Sequence, residues 1–323
     1  MIRVEWFYWL IALFFLAVGV TVLRDRTNPN RIWSGVFWSL LGLCFSYSSF
    51  VAAKTAPGWP LGLAIIVIAA IAGFGKLGRG TEERTTTPEQ REFLSSRYGN
   101  KLFLPVLVIP VVTGLFALLG PKISIGGRPV LQPLSETVIG LGASAIIAVA
   151  LGMGLLRTRS AAVVLHEGRR LTESIGWAAI LPQLLAVLGL VFAAAGVGKA
   201  IGTTTANILP EGSLLAAVVL YCLGMAVFTA ITGNAFAAFP VMTAAIGYPV
   251  LVQQHGGTAA AVFAIGMLSG YCGTLLTPMA ANFNIVPVAL LGLKSDWAVI
   301  RAQVPTAVPL LAANIGLMYV LAF

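Results

Sequence analysis

Ile231-Thr232-Gly233-Asn234-Ala235 and, about 40 residues later, Gly273-Thr274-Leu275-Leu276-Thr277-Pro278 interrupt two apolar runs long enough to cross a bilayer. The second interruption continues through Asn282 and Asn284 to Pro287. A helix in lipid must satisfy its own backbone hydrogen bonds, because hydrocarbon offers no partner. Each N–H or C=O freed there costs several kcal/mol. Such breaks persist where they line a protected polar cavity, and paired interrupted helices point to the binding site of a secondary transporter. The competing reading is a pair of ordinary kinks, since Gly and Pro are frequent in membrane helices. The recurrence of Gly with Thr and Asn at both places favours a ligand-lining role.

The rest of the chain fits a membrane setting. Of 323 residues, 58% are apolar and 10% charged, and the mean hydropathy is +0.93. Soluble domains carry about 25% charged residues. The net charge of +9 resembles a nucleic-acid signal, but the basic residues lie between apolar runs, where they set topology; no nucleic-acid partner is expected. Cys44, Cys222 and Cys272 fall within apolar runs without metal-ligand spacing, so neither a disulfide framework nor a zinc site is expected.

Apolar runs fall at about 5–23, 32–53, 58–75, 102–120, 136–156, 175–198, 213–232, 235–252, 258–276, 279–293 and 303–323. A span needs about 20 residues. The runs at 235–252 and 279–293 are short and read as half-helices or re-entrant pieces. The expectation is an all-α polytopic membrane protein of about ten transmembrane helices, with re-entrant or broken helices in the C-terminal half. Its division is 1–135, scaffold-like helices, and 136–323, a transport-like repeat with a hairpin and broken helices. The run from Glu5 to Leu23 reads as a retained first span, being too long for a signal-peptide core and followed by Arg24-Asp25-Arg26.

With the runs at 175–198 and 279–293 crossing and 235–252 re-entering, basic residues place the N-terminus outside. The inner loops then carry Arg24, Arg26 and Arg31, the group from Lys76 through Arg84 to Lys101, the group Arg157, Arg159, Arg169 and Arg170, and Lys294 with Arg301; Arg3, Lys54, Lys122, Arg128 and Lys199 remain outside. Within the longest polar stretch, Thr87-Pro88-Glu89-Gln90 predicts a helix start with a capping box, and a short surface helix to about Arg97. His166-Glu167-Gly168-Arg169-Arg170 reads as a topology-setting loop or as an anion contact.

Ionisable residues keep to span ends: Glu136, Glu173, Lys199, Glu211 and Asp296. Their absence from span interiors argues against a proton relay within this chain, and no HExxH, GxSxG or paired carboxylates support an enzyme. Neutral polar groups and helix termini remain. Thr277 reads as an N-cap with Pro278 as first helical residue. Helix N-termini hold anions without a fixed cation, and unwound carbonyls hold Na⁺, the candidate coupling ion; no other cofactor is expected. The small-residue stretch Val191 to Lys199 reads either as a hairpin tip reaching the site or as close helix packing.

Leu190 to Ile201, with its small residues before Gly196-Val197-Gly198, resembles the hairpin segment of gluconate-type permeases. Its position ahead of Ile231–Pro240 and Gly270–Pro287 resembles one repeat of the ion-transporter superfamily. Over nearly its full length the chain is similar to the membrane family known as domain of unknown function 979, regarded as one subunit of a two-part 5-oxoproline (pyroglutamate) transporter. Genes of that family accompany those for a smaller membrane partner and for pyroglutamate-processing enzymes. The resemblance implies re-entrant hairpins, broken helices, elevator-like movement and a bacterial inner-membrane location. It implies Thr232, Gly233, Asn234, Thr274, Thr277 and Asn284 as substrate-binding residues for a small organic anion. The first 135 residues show no matching break, so a second, smaller membrane subunit or a second copy of this chain is expected to complete the architecture. The rival expectation is a non-catalytic scaffold that assists a partner permease.

Overall fold

The computed structural model describes residues 1–80, 87–158, 160–208 and 212–323. Arg84, Arg159 and Glu211 lie outside the described residues. The fold is all-α except for one two-stranded ribbon among the described residues. Among the described residues, seven helices are long and apolar enough to cross a membrane, and three shorter apolar helices accompany them. The chain divides into two compact units, Met1–Glu173 and Ser174–Phe323. The division expected at 135/136 falls within the first unit, between the ribbon and the next helix.

In the first unit, α1 (Glu5–Arg24) and α2 (Arg31–Ala52) form a hairpin. They approach closely because glycines sit at the seam: a Cβ on Gly42 would lie 2.9 Å from the Ala12 carbonyl oxygen. Phe15 stacks between Trp38 and Phe45, with centroids 5.8 and 5.9 Å away. The connecting turn is tied down by polar side chains. Asp25 accepts from the Thr27 N–H at 2.9 Å, and Asn28 Nδ2 donates to the Gly78 carbonyl at 3.0 Å. α3 (Trp59–Gly73) follows. Then comes α4 (Pro88–Tyr98), which starts as the sequence predicts: Thr87 accepts from the Gln90 N–H, and the Gln90 side chain accepts from the Thr87 N–H.

α5 (Leu104–Leu119) and α6 (Glu136–Leu155) pair across Thr113 and Ser144, whose hydroxyls are 3.3 Å apart. Between them lies the ribbon of β1 (Ser124–Ile125) and β2 (Arg128–Pro129), turned by Gly126 and Gly127 at positive φ. The N-terminus joins it through the Ile2 N–H, which donates to Val130 at 2.7 Å.

α7 (Ala161–Ile175) replaces the expected loop at His166–Arg170. Valines and leucines on one side and charges on the other make it amphipathic. Arg169 anchors it by donating to the Asp25 carboxylate, to Glu173 at 3.2 Å and to the Thr21 carbonyl, while Arg170 pairs with Glu167. Both arginines are therefore committed to partners within the unit, which disfavours the anion-contact reading.

In the second unit, α8 (Leu181–Ala194) and α9 (Val197–Ile208) form a helix pair bent by 63°, a bend too small to turn the chain back, so the expected hairpin is not formed. α10 (Leu214–Thr232) is followed by α11 (Ala235–Met242), which continues as a π-helical segment over Thr243–Gln254. The run expected to be a short half-helix is therefore a 20-residue helix, Ala235–Gln254, long enough to cross. Its polar C-terminal residues Gln253 and Gln254 remain helical, which the hydropathy pattern alone hides. α12 (Ala259–Leu275), α13 (Ala281–Leu291) and α14 (Ala298–Leu321) complete the unit.

Tyr221 of α10 lies against Gly266 of α12, Met225 against Gly270, and Ala226 against Gly273. The numbers rise together, so α10 and α12 run parallel, and the end of α10 lies level with the turn that follows α12. α14 runs antiparallel to α12: Thr258 donates to Ala322, and Asn314 to Cys272. The core between them holds Tyr221, Cys222, Met225, Val262 and Met318, all fully buried.

The bent pair packs backbone to backbone along the α11–π helix, its contacts rising in register with it. Gly189 meets Ala237, Gly198 meets the Val241 carbonyl and Gly202 meets the Ala245 carbonyl, so that a Cβ at either of the last two would come within 3.1 Å. Of the two readings of Val191–Lys199, close packing is what these contacts show. The turn at Ala195–Gly196 is away from the pocket described below, which is reached by Leu181 at the other end of α8.

Candidate functional site

The first expected interruption is not a break inside a span: α10 and Ala235–Gln254 are each long enough to cross, so Thr232-Gly233-Asn234 is the turn between them. The two polar stretches, hereafter the breaks, nevertheless come together. Because α10 and α12 are parallel and the end of α10 lies level with the turn after α12, the residues after each helix meet: a Cβ on Gly233 would run into the backbone carbonyl of Met279. Gly233 adopts φ +76° and terminates α10, its N–H donating to the Thr229 carbonyl at 2.7 Å. Only glycine takes this conformation without strain. Asn234 is extended and starts the next helix. Its Oδ1 accepts from the Phe236 N–H at 2.7 Å, and its backbone carbonyl from Ala237 and Ala238. The N–H of Ala235, the first of that helix, has no intrahelical acceptor.

The second break is longer than expected. Thr277 and Pro278 do not open α13; the helix begins at Ala281 with Ala280 as its cap residue. Thr277 instead closes a turn, its Oγ1 accepting from the Met279 N–H at 3.2 Å. The reason lies in Asn284. Its Nδ2 donates to the Thr274 carbonyl at 2.8 Å and to the Thr277 carbonyl at 2.6 Å. The orphan carbonyl of Thr274 at the end of α12 and that of Thr277 in the turn beyond are satisfied from the first turn of α13, which holds the intervening chain non-helical.

A pocket of about 190 Å³ sits between the breaks. Gly233 to Phe236 supply one side, and Thr274 with Ala280 to Phe283 the other. Leu181 and Tyr271 close it. Among the described residues lining it, none carries a charge. The polar side chains among its lining residues are Asn234, Asn282 and Thr274; Asn234 Oδ1 already accepts from the Phe236 N–H, and the Thr274 hydroxyl donates to the Tyr271 carbonyl.

The six residues expected at a site thus divide. Gly233, Asn234 and Thr274 line the pocket. Thr232, Thr277 and Asn284 do not. They are buried and stitch the breaks together: the Thr232 hydroxyl donates to the Phe228 carbonyl at 2.9 Å, and Asn284 has no exposed surface. Phe236, Tyr271 and Phe283 are wall residues that sequence reasoning missed. The signal was available for two of them, since Phe236 and Phe283 fall in the first turn after each break.

A family model described as protein of unknown function (DUF979) matches residues 5–323. The chain belongs to that family. No curated protein and no solved structure matches this DUF979 chain. In this DUF979 protein the matched span contains both breaks and every pocket residue.

Proposed function

We propose that this chain is a subunit of a secondary transporter for a small organic anion, with 5-oxoproline the first candidate. One observation carries the reading: a single pocket is walled by the residues that follow the ends of two adjacent parallel helices, α10 and α12. Helix starts at both sides direct their partial positive ends toward it, each contributing about 0.3–1 kcal/mol to anion binding and up to about 2 when partly buried. A site without a fixed cation also releases its cargo, as a carrier must.

The reading places the protein in the bacterial inner membrane, N-terminus outside, with about ten crossings. That count requires Trp59–Gly73 and Ala259–Leu275 to cross at less than the usual length. Movement is elevator-like, with the bent α8–α9 pair sliding on its glycine contacts. Na⁺ is the coupling-ion candidate, drawn by carbonyls at the ends of α10 and α12. A smaller membrane subunit, a second copy of the chain, or both complete the assembly.

Labelled 5-oxoproline uptake by cells making the chain alone and with its membrane partner tests this. Asn234→Leu should cut uptake at least about tenfold while the protein still inserts. Undiminished uptake in inserted Asn234→Leu protein would falsify the assignment. A Na⁺ titration at fixed pH then decides the coupling ion.

A further inference from the structure

Lys199 sits deeper than its place in the sequence suggests. By sequence it follows an apolar run and belongs to a span end. Its neighbours Gly198 and Gly202 abut the Val241 and Ala245 carbonyls of Ala235–Gln254, a helix long enough to cross. Val241 is about 9 Å along that helix from its start at Ala235. In the other direction α9 runs on to Ile208, about 13 Å beyond Lys199. The backbone that bears this lysine is therefore far from either end of the crossing. Lys199 is exposed, and no ion pair among the described residues includes it. The hydroxyls of Thr203 and Thr204 are spent on the Ala200 carbonyl. An ionised side chain at such depth is costly and is ordinarily paired.

Resting on the heteromeric part of the transport reading above, we propose that the outer flank of α8–α9 docks a membrane helix of a different subunit, and that Lys199 pairs there with a carboxylate in that helix's apolar stretch. The chain does not supply this counter-charge itself. Its 11 acidic residues stand at helix starts, in the polar helices α4 and α7, or in the stretches between apolar runs. A second copy brings no carboxylate to this level either, so the partner is another chain. The surroundings favour a helix over a cargo. Gly198 and Gly202 turn toward α11, and Ile201 packs on the core. Lys199 and Ala200 are left outward, and Val187, Leu190 and Val191 are exposed along α8. A water-filled route for an anion is lined by polar groups, whereas this flank is apolar around one charge. Ala193 to Gly196 are also exposed, and such small residues let a second backbone approach closely.

The test puts the full-length chain into phosphatidylcholine vesicles with dye-labelled leucine–alanine transmembrane peptides whose central residue is Asp, Lys or Leu. Association is read by energy transfer from a donor dye on the chain. The Asp peptide should associate about tenfold more tightly than the other two. Lys199→Leu should abolish that preference and Lys199→Arg should keep it. Lys199→Glu should transfer it to the Lys peptide. Equal association of all three peptides with the wild-type chain overturns the proposal, since an ammonium that reaches the headgroups gains nothing from a buried carboxylate. An Asp preference that survives Lys199→Leu overturns it too. So does a wild-type chain indifferent to the peptides whose 5-oxoproline uptake collapses in Lys199→Leu, which assigns the lysine to the cargo. No cargo enters the peptide measurement, so a failure of the 5-oxoproline assignment leaves its result standing. The wild-type series decides even where a variant fails to insert.

Discussion

Gly233 carries the sharpest residue-level consequence. Its φ of +76° is adverse for any residue with a Cβ, by about 1–2 kcal/mol, and the Met279 carbonyl occupies the space a methyl would need. Gly233→Ala should therefore lower the melting temperature and depress uptake together, whereas Gly114→Ala, with open space around it, should change neither. Asn284 tests the second break. Removing its amide leaves two buried carbonyls unsatisfied, each worth about 1–3 kcal/mol. Asn284→Leu should destabilise by at least that of one carbonyl, measured by thermal unfolding in detergent. Sequence reading identified both positions. It mistook the role of Asn284, because a side chain reaching back seven and ten residues to seal a helix end has no periodic signature.

At the element scale, α7 offers a pH experiment. Burial acts to raise the Asp25 carboxyl, but hydrogen bonds from Thr27 and Arg169 outweigh it, and its pKa falls below the usual value. Burial pushes the Glu173 carboxyl up, and the neighbouring Arg169 only partly offsets this. The signs are opposite. The lowered Asp25 stabilises the fold at pH above its unfolded value of 3.8 and ceases to do so as pH falls through the native pKa. The raised Glu173 penalises the ionised native state as pH rises past 4.5. Melting temperatures between pH 3 and 7 should show Asp25→Asn less stable at neutral pH with the acid loss blunted. Glu173→Gln should be no less stable than wild type at neutral pH; a marked loss there would mean that the ion pair with Arg169 outweighs burial. α4 shows what local sequence does encode. A capping box needs only residues 87 to 90, so it was read correctly. α7 reads as a loop in sequence because its charges mask a short amphipathic period, and its anchor, Asp25, lies far away in sequence.

For the whole molecule, the all-α membrane character was legible from composition alone, since 58% apolar residues leave no other economical fold. The meeting of the two breaks was not. It depends on α10 and α12 being parallel and level, a relation set by Gly266, Gly270 and Gly273 against Tyr221, Met225 and Ala226, and hydropathy contains no information on helix direction. Gly273→Leu tests that alignment. A side chain there drives into the Ala226 carbonyl, should part the two helix ends and should abolish uptake, while membrane insertion, checked by fractionation, persists. Retained uptake would show that the breaks act independently.

Asp25 and Arg169 are separated by 144 positions. During synthesis the carboxylate is made long before the guanidinium that pairs with it, at elongation rates of about 5–20 residues per second. The α1–α2 hairpin therefore spends several seconds or more with one corner unlatched. A ribosome stalled before α7 would leave an intermediate in which the insertion machinery, or a chaperone, must shield that corner.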